Sequence, residues 1–227
     1  MRNDICTIPV TDAFEINDGC PICRMRKTVE ERIIEYIMGA AMMEPDVRIE
    51  TNKLGFCGRH LNKMVSRRGK LQLALTLESH VKELHNDIFK SPLVPDSKKG
   101  AVADKKLSSC FVCEKIDWGF ERMIDTIYRT YETNRDFREM FDNQPVFCLE
   151  HFKLLALGCS KRNMKRYNGE FLDTLKEKTG NYLASLNADL NKFCSMYDYI
   201  NNGEKDWGTS IDSVERTIAF LTGELTE

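Results

Sequence analysis

Cysteine and histidine are spaced along this chain in a way that could bind a metal ion. Cys20 and Cys23 form a C-x-x-C pair in the stretch CPIC, and Cys57 and His60 form a C-x-x-H pair in GFCGRH. The two pairs are separated by 33 residues. Three thiolates and one neutral imidazole form the donor set of a closed tetrahedral zinc site. The spacing therefore predicts a metal site without an open position for a substrate.

The same pattern recurs in the second half of the chain. Its four candidate ligands there are Cys110, Cys113, Cys148 and His151. The C-x-x-C pairs are offset by 90 residues and the C-x-x-H pairs by 91, and a phenylalanine (Phe56 and Phe147) precedes the C-x-x-H cysteine both times. Because a loop tolerates a one-residue difference, the pattern predicts an internal duplication and two metal sites in the chain.

The length of the intervening chain allows each half to form a site of its own. A helix from Cys23 to about Met43 carries the chain roughly 30 Å. The next dozen or so residues span up to about 40 Å when extended, which is enough to bring Cys57 back. We therefore expect the ligands to pair within each half, since a duplicated unit is then self-sufficient. The alternative places both C-x-x-C pairs in one site and both C-x-x-H pairs in the other.

Zinc is the metal that this donor set favours, as two structural ions per chain. Iron–sulfur clusters are the alternative, because cysteine with an occasional histidine also holds them, and they would make the protein an electron carrier. A third interpretation treats Cys20 and Cys23 as a redox dithiol. It is weaker, since no βαβ pattern surrounds the pair and the distant C-x-x-H pairs would stay unexplained.

Composition narrows the possible functions. The chain has 227 residues, nine cysteines and a formal net charge of −2. This charge argues against nucleic acid as a partner, and the absence of a long apolar run argues against a membrane span or a signal peptide. We therefore expect a cytoplasmic protein. Disulfides are rare in that compartment, so metal binding is the usual explanation for many cysteines there. Without a phosphate loop, a nucleophile elbow or an open-site zinc motif, we expect a non-enzymatic protein that binds another protein.

Helical periodicity positions the candidate ligands. A stripe at Val29, Ile33, Ile37 and Ala41 predicts a helix that opens near Cys23. Similar stripes follow the other pairs, so we expect an all-α fold with the ligands at helix N-termini, where the helix dipole favours thiolate. The predicted division is a first metal-binding half over residues 1–90, a polar linker over residues 91–109, and a second half over residues 110–227 that ends in a C-terminal helix.

Several other side chains have plainer interpretations. Glu30 and Glu31 are expected on a solvated helix face. Tyr128 and Tyr131 are expected in the interior. The three cysteines outside the pattern, Cys6, Cys159 and Cys194, are expected to have a structural or incidental role, and Cys194 is expected to be buried beside apolar residues.

The stretch EPDVRIETN, residues 44–52, precedes the first C-x-x-H pair and has no counterpart in the second half. Because it lies on the path back to the first site, Arg48 and Glu50 are candidates for orienting a metal ligand. Together with TIPVTDAF, CPIC, FCLEH and WGTSIDSVERTIAFLTGE, this stretch resembles a domain-of-unknown-function family of anaerobic Gram-positive bacteria. The resemblance covers nearly the whole chain and implies the duplicated cysteine and histidine pattern. An anaerobic source would favour iron–sulfur more than composition does.

Overall fold

Helices form the regular structure of this protein. The computed structural model describes residues 6–159, 164–197 and 206–223, apart from the side chains of residues 40 and 42, and contains no strand in these ranges. The predicted all-α fold is confirmed. Within the same ranges, no helix has the length and apolar composition needed to cross a membrane.

The helices follow one another through short connections. In chain order they are α1 (Thr7–Glu15), α2 (Pro21–Met38), α3 (Pro45–Leu54), α4 (Gly58–Val65), α5 (Lys70–His85), α6 (Asp96–Leu107), α7 (Phe111–Thr133), α8 (Arg135–Asp142), α9 (Leu149–Cys159), α10 (Asn168–Ser195) and α11 (Ser213–Thr222). Single 3₁₀ turns occur at Ala40–Met43 and Gly208–Ser210, and a π turn at Asn86–Lys90.

The chain forms two compact units, and each unit draws on both halves of the sequence. One unit is residues 27–120, and the other combines residues 1–26 with residues 121–227. Helices α2 and α7 each contribute residues to both units. This grouping by contact differs from the predicted division at residues 90 and 110.

The unit of residues 27–120 has an aliphatic core. Ile34 and Ile37 of α2, Met64 of α4 and Leu73 of α5 are buried in it together with Phe111. Phe111 lies inside the second C-x-x-C pair, so the residues between the cysteines are themselves part of the core. Burial of such side chains contributes roughly 1.5–3 kcal/mol each. The start of α7 is therefore held by packing as well as by any metal.

The other unit is built around aromatic rings. Seven of its buried rings come from α1, α7, α8, α10 and the turn before α9, and are Phe14, Tyr128, Tyr131, Phe137, Phe141, Phe147 and Phe171; the ring of Phe220 in α11 is also buried. The ring centroid of Phe141 lies 4.7 Å from those of both Phe147 and Phe171 and 5.1 Å from that of Tyr131. The predicted interior positions of Tyr128 and Tyr131 are confirmed.

The polar segment between residues 91 and 109 contains a helix, α6, with no buried residue. Pro95 precedes the helix, Asp96 lies in its first turn, and Lys105 and Lys106 lie in its last turn. This charge order complements the helix dipole. A polar composition is thus compatible with helix here, because charges at the termini stabilise it.

Burial differs among the three cysteines outside the metal pattern. Cys159 is buried and Cys6 is partly exposed, whereas Cys194 is exposed. The prediction that Cys194 is buried is wrong. The buried face of α10 passes through Phe171, Leu175 and Leu186, and continuing it at 3.6 residues per turn reaches 193 and not 194.

Candidate metal centres

Two clusters of cysteine and histidine form in the structure. Cluster A consists of Cys20, Cys23, Cys148 and His151, and cluster B consists of Cys57, His60, Cys110 and Cys113. Within each cluster the four donor atoms all lie within 4.8 Å of one another. All eight candidate ligands are thereby accounted for in two sets of three thiols and one imidazole.

The pairing of these ligands differs from the prediction. Each cluster joins the C-x-x-C pair of one sequence half to the C-x-x-H pair of the other. Pairing within each half is therefore wrong, and so is the alternative with an all-cysteine site. The reach of the chain showed only that Cys57 could return to Cys23, and reach permits a contact without requiring it.

Hydrogen bonds outside the clusters fix the observed pairing. In the unit of residues 27–120, the backbone N–H of Phe111 donates to the carbonyl of Gly55 at 2.9 Å, and Ser109 Oγ donates to the carbonyl of Leu54 at 2.8 Å. These bonds bring the turn before Cys57 to the start of α7. In the other unit, Gln144 Nε2 donates to the carbonyl of Phe14 at 2.7 Å and so joins the segments that precede Cys148 and Cys20.

Cluster A lies where α2 and α9 begin. Cys20 and Cys148 directly precede the two helices, and Cys23 and His151 lie in their first turns. The Sγ atoms of Cys23 and Cys148 are 3.5 Å apart. The Nδ1 atom of His151 lies 3.1 Å, 3.2 Å and 3.5 Å from the sulfurs of Cys148, Cys23 and Cys20.

Cluster B lies where α4 and α7 begin. Cys57 is the N-cap residue of α4, and Cys110 directly precedes α7. The Nδ1 atom of His60 lies 3.2 Å from the sulfurs of both Cys57 and Cys110 and 3.4 Å from that of Cys113. The Sγ atoms of Cys57 and Cys113 are 3.9 Å apart. The predicted placement of the ligands at helix N-termini is confirmed for both clusters.

These distances suit a single tetrahedral ion in each cluster. Metal bonds of about 2.3 Å to sulfur and 2.0–2.1 Å to nitrogen place tetrahedral sulfurs ~3.8 Å apart and sulfur and nitrogen ~3.5 Å apart. The observed separations are 3.5 Å and 3.9 Å between sulfurs and 3.1–3.5 Å between sulfur and nitrogen. Both clusters could therefore hold a metal ion with only small movements of the side chains.

The thiols of each cluster influence one another's ionisation. Burial, together with the neighbouring Cys110, raises the pKa of Cys113 to about 12. In cluster A the hydrogen bond with Cys20 is the main cause that raises the pKa of Cys148 to about 12. Three thiolates this close repel one another, and only a bound cation makes all three favourable.

Glu30 of α2 orients the imidazole of cluster B. Its Oε1 lies 2.9 Å from Nε2 of His60, while Arg59 and Lys63 donate to the same carboxylate at 3.0 Å and 2.7 Å. Burial raises the pKa of Glu30. This effect is outweighed by the hydrogen bond and charge of Lys63 and by the charge of Arg59, which hold the pKa below its usual value. Burial also lowers the pKa of His60. A neutral ring that donates Nε2–H to Glu30 leaves Nδ1 free to bind metal.

The position of Glu30 corrects one prediction. Glu30 is 6% exposed, so the expectation of a solvated glutamate at this position is wrong. The spacing along the sequence indicates the buried position of Glu30. It precedes Ile34 by four residues and Ile37 by seven, so all three lie on one helix face. A carboxylate in phase with a buried stripe needs a partner, and His60 is that partner.

Arg48 and Glu50, the two candidates for orienting a metal ligand, contact other residues. Arg48 donates to the carbonyl of Leu75 at 2.9 Å and to Ser79 Oγ at 3.3 Å. Glu50 pairs with Lys115 at 2.7 Å and is half exposed. These contacts join α3 to α5 and to α7. They do not include a cluster ligand.

A model of one protein family matches residues 1–227, the whole chain, and that family is described as a family of unknown function, DUF6062. The chain belongs to DUF6062. No curated protein and no solved structure matches it.

The two clusters of this DUF6062 member differ in the solvent exposure of their candidate ligands. In cluster A all four ligands are buried, whereas in cluster B Cys57 and Cys113 are partly exposed. Gly223, just after α11, accounts for part of the difference, because Cys23 Sγ donates to its carbonyl at 3.2 Å. With φ of 69°, Gly223 has a left-handed backbone that favours glycine, and a Cβ there would lie 3.4 Å from Cys148 Sγ.

Proposed function

We propose that this protein binds two structural zinc ions, one in cluster A and one in cluster B. The observation that carries the proposal is the donor set: three sulfurs and one Nδ1 atom lie within 4.8 Å of one another, twice in one chain. Sulfur and imidazole are ligands that suit zinc, and four of them complete its tetrahedral coordination.

The close spacing supports a single ion over an iron–sulfur cluster. In such a cluster the four protein ligands are shared among at least two iron atoms, which bridging sulfides hold apart. Some of their donor atoms must then be more widely separated than those of one tetrahedral ion. The four donor atoms of each cluster all lie within 4.8 Å of one another, which favours one ion in each cluster.

A structural role follows from what each ion would join. Cys23 and Cys148 are separated by 125 residues and Cys57 and Cys113 by 56. An ion in each cluster would cross-link two helix starts and close these long loops, which the unfolded chain leaves open. With four protein ligands there is no position for a substrate water, and this argues against catalysis at the metal.

We further propose that the protein acts in the cytoplasm as an interaction module for another protein. The closed donor sets and the net charge of −2 support a non-enzymatic role that does not involve nucleic acid. None of the nine cysteines forms a disulfide, which is compatible with a reducing compartment.

Metal analysis of protein purified without oxygen tests the metal proposal. We expect a colourless protein with about two zinc ions per chain, because zinc complexes of thiolate and imidazole do not absorb visible light. A brown protein with stoichiometric iron and sulfide would establish the iron–sulfur alternative instead. The Cys194→Ser variant is the matched control, since Cys194 is exposed and outside both clusters, and it should retain both ions.

A further inference from the structure

The two clusters have the same ligands but different access from solvent. Each contains one C-x-x-C pair, one C-x-x-H pair and an Nδ1 donor. In cluster A the cysteines are 3–6% exposed, and Gly223 covers Cys23 and Cys148. In cluster B, Cys57 and Cys113 are both partly exposed. Any difference in their reactivity must therefore come from the surroundings and not from the donor set.

Each cluster also contains two sulfurs from different helices that could form a disulfide. The Sγ atoms of Cys57 and Cys113 are 3.9 Å apart, and those of Cys23 and Cys148 are 3.5 Å apart. Both pairs need only a small approach to reach the bond length of about 2.05 Å. The distance between the two sulfurs does not favour disulfide formation in cluster B over cluster A. Solvent exposure favours cluster B, because an oxidant in solution reaches exposed cysteines more readily than buried ones.

We propose that Cys57 and Cys113 form an oxidation site. At this site hydrogen peroxide converts the two thiolates to a disulfide and thereby releases the metal of cluster B, while cluster A keeps its metal. This inference rests on the proposed function, because it requires that both clusters are loaded.

The chemistry proceeds in two displacements. The sulfur of Cys57, at the N-terminus of α4, attacks one peroxide oxygen; an S–O bond forms, the O–O bond breaks, and hydroxide leaves. The sulfur of Cys113 then attacks the sulfenic sulfur; the S–S bond forms, the S–O bond breaks, and a second hydroxide leaves. The two thiolates lose two electrons in total. The two hydroxides take protons from solvent and become water.

The loss of metal follows from the ligand count. After disulfide formation, cluster B retains only His60 and Cys110 as ligands, and two ligands do not hold zinc against competing chelators. The ring of His60 stays bonded to Glu30, so the imidazole remains in position for reloading after the disulfide is reduced. Oxidation at this site is therefore reversible by thiol exchange.

Zinc release from the intact, fully loaded chain tests the proposal. Metal content is measured first, then hydrogen peroxide is added in the presence of a chromophoric zinc chelator. We expect one equivalent to appear roughly tenfold faster than the second, because only cluster B is accessible. Peptide mass spectrometry at the end of the fast phase should identify a Cys57–Cys113 disulfide. Reduction and added zinc should restore two equivalents.

Two results would overturn the proposal. Release of both equivalents at one rate would show that access does not control oxidation, and a Cys23–Cys148 disulfide in the fast phase would place the site in cluster A. The initial metal content separates the two proposals. A chain that holds no metal contradicts the proposed function and the inference with it, whereas a loaded chain that does not lose its cluster B metal first contradicts the inference alone.

Discussion

The carboxylate of Glu30 lies 2.9 Å from Nε2 of His60, on the side of the ring opposite the atom that faces three cysteine sulfurs. This bond fixes the ring orientation and its tautomer. Arg59 and Lys63 neutralise the carboxylate in turn. The arrangement of the donor atoms in cluster B therefore also depends on α2, a helix that contributes no candidate ligand to it.

Replacing Glu30 should weaken metal binding in cluster B alone. Glu30→Gln keeps the shape of the side chain but removes the charge that polarises His60, and loss of such a partner typically costs 10–100-fold in metal affinity, about 1.4–2.7 kcal/mol. A competition titration with a chromophoric chelator measures the metal affinity of each cluster. Glu35→Gln, on the same helix but exposed, is the control and should leave both affinities unchanged. Equal affinities in the two variants would show that Glu30 has no such role.

Paired cysteine substitutions should report the ligand pairing directly. Cys20→Ser combined with Cys148→Ser damages cluster A only and should leave one metal per chain after dialysis against a chelator. Cys20→Ser combined with Cys57→Ser damages both clusters and should leave none. Pairing within sequence halves predicts the reverse for the two double variants, so metal content alone distinguishes the arrangements.

Removal of the metal should lower the melting temperature without abolishing all helix. A structural zinc contributes an apparent binding free energy of roughly 10–16 kcal/mol in small domains. Here most side chains of the aliphatic and aromatic cores are not metal ligands, so some helix should persist at low temperature. Circular dichroism melts before and after chelation measure the change, and added zinc, unlike added magnesium, should reverse it. An unchanged melting temperature would show that the clusters are not structural.

The aromatic core should be the most sensitive part of its unit to truncation. Phe141 is fully buried among Phe147, Phe171 and Tyr131, and Phe→Ala in such a site costs about 3–5 kcal/mol. Urea unfolding measures the loss. Phe193→Ala is the control, because Phe193 is only partly buried, and it should cost clearly less. A similar cost at both positions would contradict the assigned core.

Local spacing was sufficient to predict which residues form the two clusters, but not how the pairs combine. Cys20 with Cys23, and Cys57 with His60, are one helical turn apart, so each pair could be recognised from sequence. The pairing depends on bonds between distant residues, such as Phe111 to Gly55 and Gln144 to Phe14. No periodicity encodes such bonds, which form only when the helices pack.

Glu30 was misplaced although the predicted stripe of α2 passes through Ile37, which is buried. Glu30 lies seven residues before Ile37, so the two residues lie on the same helix face. Residue type alone favoured a solvated position for a glutamate, whereas this spacing favours burial next to His60. The stripe itself differed at one position, because Ile34 is buried and Ile33 is only partly buried.

The ligand pairing sets an order in which the two sites can form during synthesis. Cluster B is complete once residue 113 has left the ribosome, whereas Cys20 and Cys23 must wait for Cys148 and His151. Synthesis of residues 114–151 takes about 2–8 s at ~5–20 residues per second. Throughout that interval the first C-x-x-C pair is a bare dithiol on a nascent chain. The solvent-accessible cluster is thus the first that could acquire metal, and the enclosed one closes last, when α11 brings Gly223 over it.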